Sequence, residues 1–378
     1  MPFSARFHWN TKPNRLSEAL ARKRAEGVAI LDLTQSNPTQ AGFQYPMEIA
    51  DAFADSSVLR YDPSPRGMRA AREAVSRYYC ARGRMVSPER ILLTASTSEA
   101  YSYLFKLLTN PGESVLVPRP SYPLFEYLAT MESIAVQQYP LRYDEGWSIP
   151  VDEIPEGASA LALVNPNNPT GSFLKAHELA QLARLGMPVI CDEVFSDYGF
   201  GEDAKRVTTL VDFDEILSFS MSGLSKVAGL PQMKLGWIVI NGPEAEAHDA
   251  MEKLEWIADT YLSVGAPVQC AAAKLLEVGE DIQRQIRTRT WSNLTHMREV
   301  LRGTAGGILK VEGGWYATVR MPRVRTEEEY ALELLETNDV LVQPGYFYDF
   351  ESEAYLVISL LTEEAVFRKG MTHVRAML

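Results

Sequence analysis

One lysine, Lys226, stands in the run Ser220-Met221-Ser222-Gly223-Leu224-Ser225-Lys226-Val227-Ala228-Gly229-Leu230, just after the apolar stretch 216–219. It has no charged neighbour between positions 216 and 233. Desolvation disfavours an ammonium, lowers its pKa and leaves the amine nucleophilic toward aldehydes. Schiff-base chemistry needs such an amine. Ser222 and Ser225 beside it are suited to a phosphate, and together these residues suggest pyridoxal phosphate carried on Lys226. A plain strand-to-helix turn would use the same small residues, so the segment alone leaves both readings open.

Four other segments bear on the choice. Asn165-Pro166-Asn167-Asn168-Pro169-Thr170-Gly171 has the composition of a turn. Two Asn-Pro steps straight after an apolar run exceed what a connection requires, and the Asn168 amide can donate to a phenolate oxygen. Asp192, in Val189-Ile190-Cys191-Asp192-Glu193, reads as a helix cap or as the partner of a pyridinium nitrogen. Ser96-Thr97-Ser98-Glu99 reads as a capped helix start or as an anion site built on that start. Tyr122, in Pro118-Arg119-Pro120-Ser121-Tyr122-Pro123, reads as core packing or as a ring stacked on a flat cofactor.

The elements that must position these groups follow from apolar patterning. Runs at 91–93, 114–117, 160–164, 189–191, 216–219 and 235–240 have the continuous apolar character of buried parallel strands. Helical patterns separate most of them, for example 176–185. Alternating strand and helix predicts an α/β fold with a mostly parallel sheet. Ligands in such sheets bind beyond the carboxyl ends of the strands. Ser96, Asn168, Asp192 and Lys226 each follow a predicted strand, so one site is expected. Residues 267–301 predict two helices, the second long. Beyond Gly303 the expected elements are strands at 308–321, 340–342 and 355–360 and helices at 326–337 and 362–377, an α+β lobe. The segment 1–46 has little core of its own and is expected to dock on that lobe.

Composition narrows the class of protein. The 378 residues exceed one small core and imply two domains. With 37 basic and 49 acidic residues, the net charge of −12 argues against nucleic acid. Three dispersed cysteines read as reduced thiols of a cytoplasmic protein. Five unclustered histidines predict no metal site. No apolar run is long enough for a membrane span, and Met1 to Trp9 do not form a signal peptide pattern.

Taken in order, the motifs resemble the class I/II aminotransferases, the fold type I enzymes dependent on pyridoxal 5′-phosphate. The likeness runs from Leu33 to about Thr362. It is carried by Tyr61 with Pro63 and Gly67, Ser96-Thr97-Ser98, Tyr122, Asn168-Pro169-Thr170-Gly171, Asp192-Glu193-Val194, Ser225-Lys226, Gly236-Trp237, Gly313-Gly314-Trp315-Tyr316 and Gln343-Pro344-Gly345. The resemblance implies a large cofactor domain over 46–280 and a small domain from 1–45 with 281–378. It implies that Lys226 forms the Schiff base, Asp192 pairs with the pyridinium, Asn168 bonds the ring's 3-oxygen and Tyr122 stacks on the ring. Ser96, Thr97, Ser98, Ser222, Ser225 and Lys234 would hold the phosphate. Tyr61 would reach the phosphate of a second subunit, so a homodimer is implied. Asn37, in Ser36-Asn37-Pro38, would lie at the substrate mouth.

Three positions depart from the family's pattern. Phe195 replaces a tyrosine near the ring's 3-oxygen. Lys234 replaces an arginine, which removes a bidentate fork. Val357 stands where an arginine grips the substrate carboxylate. Either another cation, such as Arg119 or Arg320, replaces it, or the amino donor has no free α-carboxylate. The implied activity is amino transfer from a donor to a 2-oxo acid. The alternatives are a lyase or decarboxylase on the same fold, and a weakly catalytic cofactor-binding sensor.

Overall fold

The computed structural model describes residues 3–7, 9 and 12–378. The expectations for Met1, Pro2, His8, Asn10 and Thr11 lie outside the described residues.

Seven strands make the main sheet: Ile91–Thr94 (β1), Ser114–Arg119 (β2), Ala135–Pro140 (β3), Ala160–Val164 (β4), Val189–Asp192 (β5), Ser218–Gly223 (β6) and Gly236–Asn241 (β7). Their order is β1-β7-β6-β5-β4-β2-β3. All neighbouring pairs are parallel except those of β7, which runs against both β6 and β1. The expectation of a parallel strand at 235–240 is therefore corrected. An apolar run reads the same in either direction when both sheet faces are covered. Here both are: Leu92, Ile190, Phe219 and Ile238 enter one cluster with the helices Thr97–Leu108 and Glu244–Tyr261. Ile91, Leu93, Trp237 and Val239 enter another on the opposite face, with the helix Arg69–Cys80.

Three further expectations change, one of them in the small lobe, where the run 308–321 expected as strand is two short strands, Gly307–Ile308 and Tyr316–Arg320. β6 begins at Ser218 and runs through its serines to Gly223, later than the predicted 216–219. Ser218, Ser220 and Ser222 are buried, and Ser220 donates to Glu193 Oε1 at 3.1 Å. The predicted helix pair at 267–301 is one helix, Ala266–Val300. Gly279 does not break it. A Cβ there would stand 2.3 Å from the Ala228 Cβ, so glycine lets the helix pass close to the Lys226 loop.

A second sheet contains Gly307–Ile308 (β8), Tyr316–Arg320 (β9), Gln343–Pro344 (β10) and Tyr355–Ser359 (β11), antiparallel in the order β8-β9-β11-β10. The helices Glu327–Asn338 and Glu364–Ala376 cover it. The N-terminal segment docks here. Leu31–Asp32 pairs with Val340–Leu341, and Leu16, Ala19 and Leu33 enter this core. The long helix serves both cores, with Ile282 and Ile286 in the first and Leu294 and Met297 in the second.

Among the described residues, no helix is long and apolar enough to cross a membrane, and no group of three or more His, Cys, Asp or Glu is placed to hold a metal ion.

Candidate active site

The carboxyl edge of the main sheet opens into a cavity of about 440 Å³. Strand direction explains what lines it. Thr94, Val164, Asp192 and Gly223 end their strands at this edge, so the residues that follow them gather there. Because β7 runs the other way, its amino end arrives at the same edge, and Gly236 pairs with both Gly223 and Thr94. Lys234 and Gly236 thereby join Ser96 and Ser225 in one wall.

That wall is an anion cup. Ser96 caps the helix Thr97–Leu108 by accepting from Glu99 N at 3.2 Å, while Glu99 accepts from Ala95 N at 2.7 Å. First-turn amides such as those of Thr97 and Ser98 have no acceptor within a helix, and the helix's positive end faces the cavity. A Cβ at Gly236 would lie 3.1 Å from Thr94 Oγ1 and 3.2 Å from the Ser96 carbonyl carbon, so glycine keeps the cup open. Lys234 adds a positive charge at the exposed rim.

Lys226 sits in the one-turn helix Leu224–Val227. Burial lowers its pKa from 10.5 to about 8, with Asp192 opposing the shift. Its amine lies 4.8 Å from the ring centre of Trp315 and 5.8 Å from that of Phe195. Burial pushes the Asp192 carboxyl up to about 6, against hydrogen bonds and the charge of Lys226. Its oxygens accept from Val194 N at 3.2 Å and from the Tyr101 hydroxyl at 3.4 Å. Tyr122 lines the cavity with its ring half exposed. Two buried polar atoms at this edge lack a partner: the Asn168 side-chain oxygen and the Ser222 hydroxyl. Such atoms are rare and costly.

Of the residues singled out from the sequence, Ser96, Thr97, Ser98, Tyr122, Asn168, Asp192, Phe195, Ser225, Lys226 and Lys234 all line this cavity. Ser222 sits behind it. The others do not reach it. Tyr61 is 77% exposed and borders a separate depression with Tyr103 and Gln269. Asn37 turns its side chain to Thr39 N at 3.0 Å, leaving Ser36 at the cavity. Arg119 donates to the Asp349 carbonyl at 2.8 Å, and Arg320 is exposed at the end of β9. Neither lines the cavity, because strand alternation and the strand's far end direct them elsewhere. Val357 is fully buried between Thr318 and Gln343. Tyr101, Tyr316, Gln343 and Tyr348 also line the cavity, although the sequence assigns none of them a site role and brings in Tyr316 and Gln343 only as motif residues. Tyr101 has a readable signal of its own: it falls one helical turn after Thr97.

The α/β scaffold sets a buried lysine of lowered pKa and a buried carboxyl beside the N-terminus of the helix Thr97–Leu108, the kind of groups that Schiff-base chemistry uses. The family model for aminotransferase class I and II matches residues 28–368, and the chain belongs to this family. It is an aminotransferase. It is 27% identical to the glutamate-pyruvate aminotransferase of Haemophilus influenzae, over 91% of this chain and 89% of that one. It is 26% identical to the alanine aminotransferase of Mycobacterium bovis, over 89% and 82%. The solved alanine aminotransferase of Pyrococcus furiosus shares the fold with a TM-score of 0.86 at 22% identity, over 99% and 98%.

Proposed function

We propose that the cavity binds pyridoxal 5′-phosphate and that the enzyme uses it to move an amino group from an amino donor to a 2-oxo acid. The residues present fit that cofactor. Asn168 Nδ2, which makes no hydrogen bond among the described residues, is a donor suited to the ring's 3-oxygen, and the cup of Ser96, Thr97, Ser98, Ser225 and Lys234 suits its phosphate. The single observation that carries the reading is Lys226, a buried amine of lowered pKa in the same cavity as Asp192 and that cup.

When bound, the cofactor supplies a protonated ring that takes up the electron pair left as the substrate's α hydrogen departs. Lys226 Nζ holds the cofactor and then carries the proton from the substrate's α carbon. Asp192 keeps the ring nitrogen protonated, and a cation beside it would draw its pKa back down. Tyr122 covers one ring face. Ser96, Thr97, Ser98, Ser225 and Lys234 hold the phosphate, while Ser222 lies buried behind that wall. Phe195 offers no hydroxyl to the 3-oxygen, so Asn168 is the side chain left to donate there.

The reading extends to assembly. Residues 46–280 form the cofactor domain, and 1–45 with 281–378 the smaller one. Tyr61, exposed in one chain, reaches the phosphate of the other subunit in a cytoplasmic homodimer. Sedimentation that returned a monomer with full activity would remove this element.

The test is a single turnover. The cofactor-loaded protein is given α-amino acids one at a time, beginning with alanine and glutamate, without an acceptor. About one equivalent of 2-oxo acid per subunit is expected, with no free ammonia. Continuous release of ammonia would instead indicate a lyase, and no 2-oxo acid from any donor would overturn the proposal.

A further inference from the structure

The part of the cavity contributed by the small lobe is built by Tyr316, Gln343 and Tyr348. Gln343 opens β10 and pairs with Val357 of β11, which pairs in turn with Thr318 of β9. Val357 brings no polar atom to this wall. Gln343 does. The Tyr348 hydroxyl donates to Gln343 Oε1, which occupies the amide's acceptor and fixes the orientation of its plane. Gln343 Nε2 makes no hydrogen bond among the described residues and is left as a donor on a residue that lines the cavity.

Charge sharpens the point. Two lining residues are cations, Lys226 and Lys234. Lys226 is committed to the chemistry, and Lys234 stands at the amino end of β7 beside the Ser96 turn. The small-lobe wall is uncharged. An amino acid donor and a 2-oxo acid both bring an α-carboxylate, and a carboxylate leaving water needs donors aimed at it. Neutral donors serve where their acceptors are already taken, because the dipole cannot turn away.

We propose that Gln343 is the specificity-determining residue for the substrate's α-carboxylate: Nε2 donates to it, Tyr348 holds the amide in place, and no guanidinium takes part. This rests on the reading that the cavity binds its cofactor at Lys226. The consequence is a site that accepts carboxylates through hydrogen bonds alone. Its hold on them is weak compared with a bidentate ion pair.

The test is a spectral titration of the cofactor-loaded enzyme with 2-methylalanine, which has no α hydrogen and therefore no proton for Lys226 to take. Gln343→Leu is expected to raise its dissociation constant about 10-fold or more, the size of a lost hydrogen bond to a charged group. Gln343→Glu, nearly isosteric but negative, is expected to raise it further. Tyr348→Phe gives a smaller rise in the same direction. The visible band of the resting enzyme stays unchanged in all three, which a merely structural role would not preserve. Equal dissociation constants in wild type and both Gln343 variants overturn the proposal, as does a wild-type enzyme whose band shows no saturable response to 2-methylalanine. A wild-type protein with no cofactor band overturns the underlying reading, and this proposal with it.

Discussion

The Tyr198 hydroxyl donates a 2.6 Å hydrogen bond to the main-chain oxygen of Lys226. The loop that presents the reactive amine is thus tied from outside its own segment. A second tie lies one residue on, where Gln283 Nε2 donates to the Val227 carbonyl at 2.9 Å. Tyr198 also packs edge-on against Trp315, the ring nearest the Lys226 amine. Removing the hydroxyl in Tyr198→Phe leaves a partly buried carbonyl without its partner. A loss of about 1–3 kcal/mol in folding stability is expected. Urea denaturation measures it, and an unchanged midpoint would show that the loop holds itself.

Asp197 anchors the same region from the side. It accepts from Arg82 Nε at 2.7 Å, from the Tyr78 hydroxyl at 2.8 Å and from Gln283 Nε2 at 2.7 Å. Asp197→Ala strands the Arg82 charge and two neutral donors together. Breaking one side of such a pair costs about 3–5 kcal/mol. Arg82→Ala and the double variant complete a cycle, and purely additive losses would contradict the coupling.

The two titrating groups give cofactor-free protein opposite pH slopes. Asp192 has a pKa of about 6 when folded against 3.8 ordinarily, so the folded state holds more protons between those values. Stability contributed by Asp192 is therefore full below about 4 and falls as pH rises to about 6. Lys226 has a pKa of about 8 when folded against 10.5 ordinarily, so the unfolded state holds more protons between them. Stability rises through that window. Each displacement corresponds to about 3 kcal/mol at most. Denaturation curves from pH 4 to 10.5 should lose the acid-side fall in Asp192→Asn and the alkaline rise in Lys226→Met. Parallel curves for wild type and variants would refute the assignment.

Gly171 joins the Asn168 loop to the small lobe. Its φ is +68°, and a Cβ there would lie 2.3 Å from Val311 Cγ2 and 2.5 Å from the Gly313 carbonyl oxygen. Gly171→Ala should cost about 1–3 kcal/mol through strain and overlap. Thermal denaturation reports the cost, and a variant as stable as wild type would mean that the lobes separate freely at this seam.

What the sequence made legible follows from strand geometry. Ser96, Asn168, Asp192 and Lys226 each come soon after a buried apolar run, so one topological rule brings them together. The direction of β7 was not legible, since Trp237, Ile238 and Val239 are buried on both faces whichever way the strand runs. The edge strand β3 is not legible in the sequence because Ala135 and Gln138 are exposed and its pattern carries little apolar signal. That Gln343 and Tyr348 line the cavity is not legible for another reason. They reach the cavity from the second sheet, and nothing local in Gln343-Pro344-Gly345 announces that packing. Arg119 and Arg320 stand out in the sequence by charge alone, which says nothing of where a strand turns its side chains.

The central claim is that Lys226 is the amine that carries the cofactor. The direct measurement is reduction of the pyridoxal phosphate-loaded protein with borohydride, followed by peptide mapping by mass spectrometry. The account predicts one stable pyridoxyl label per chain, on the peptide containing Lys226, and its disappearance in Lys226→Ala. A label on another lysine, or none on the wild-type protein, would contradict it.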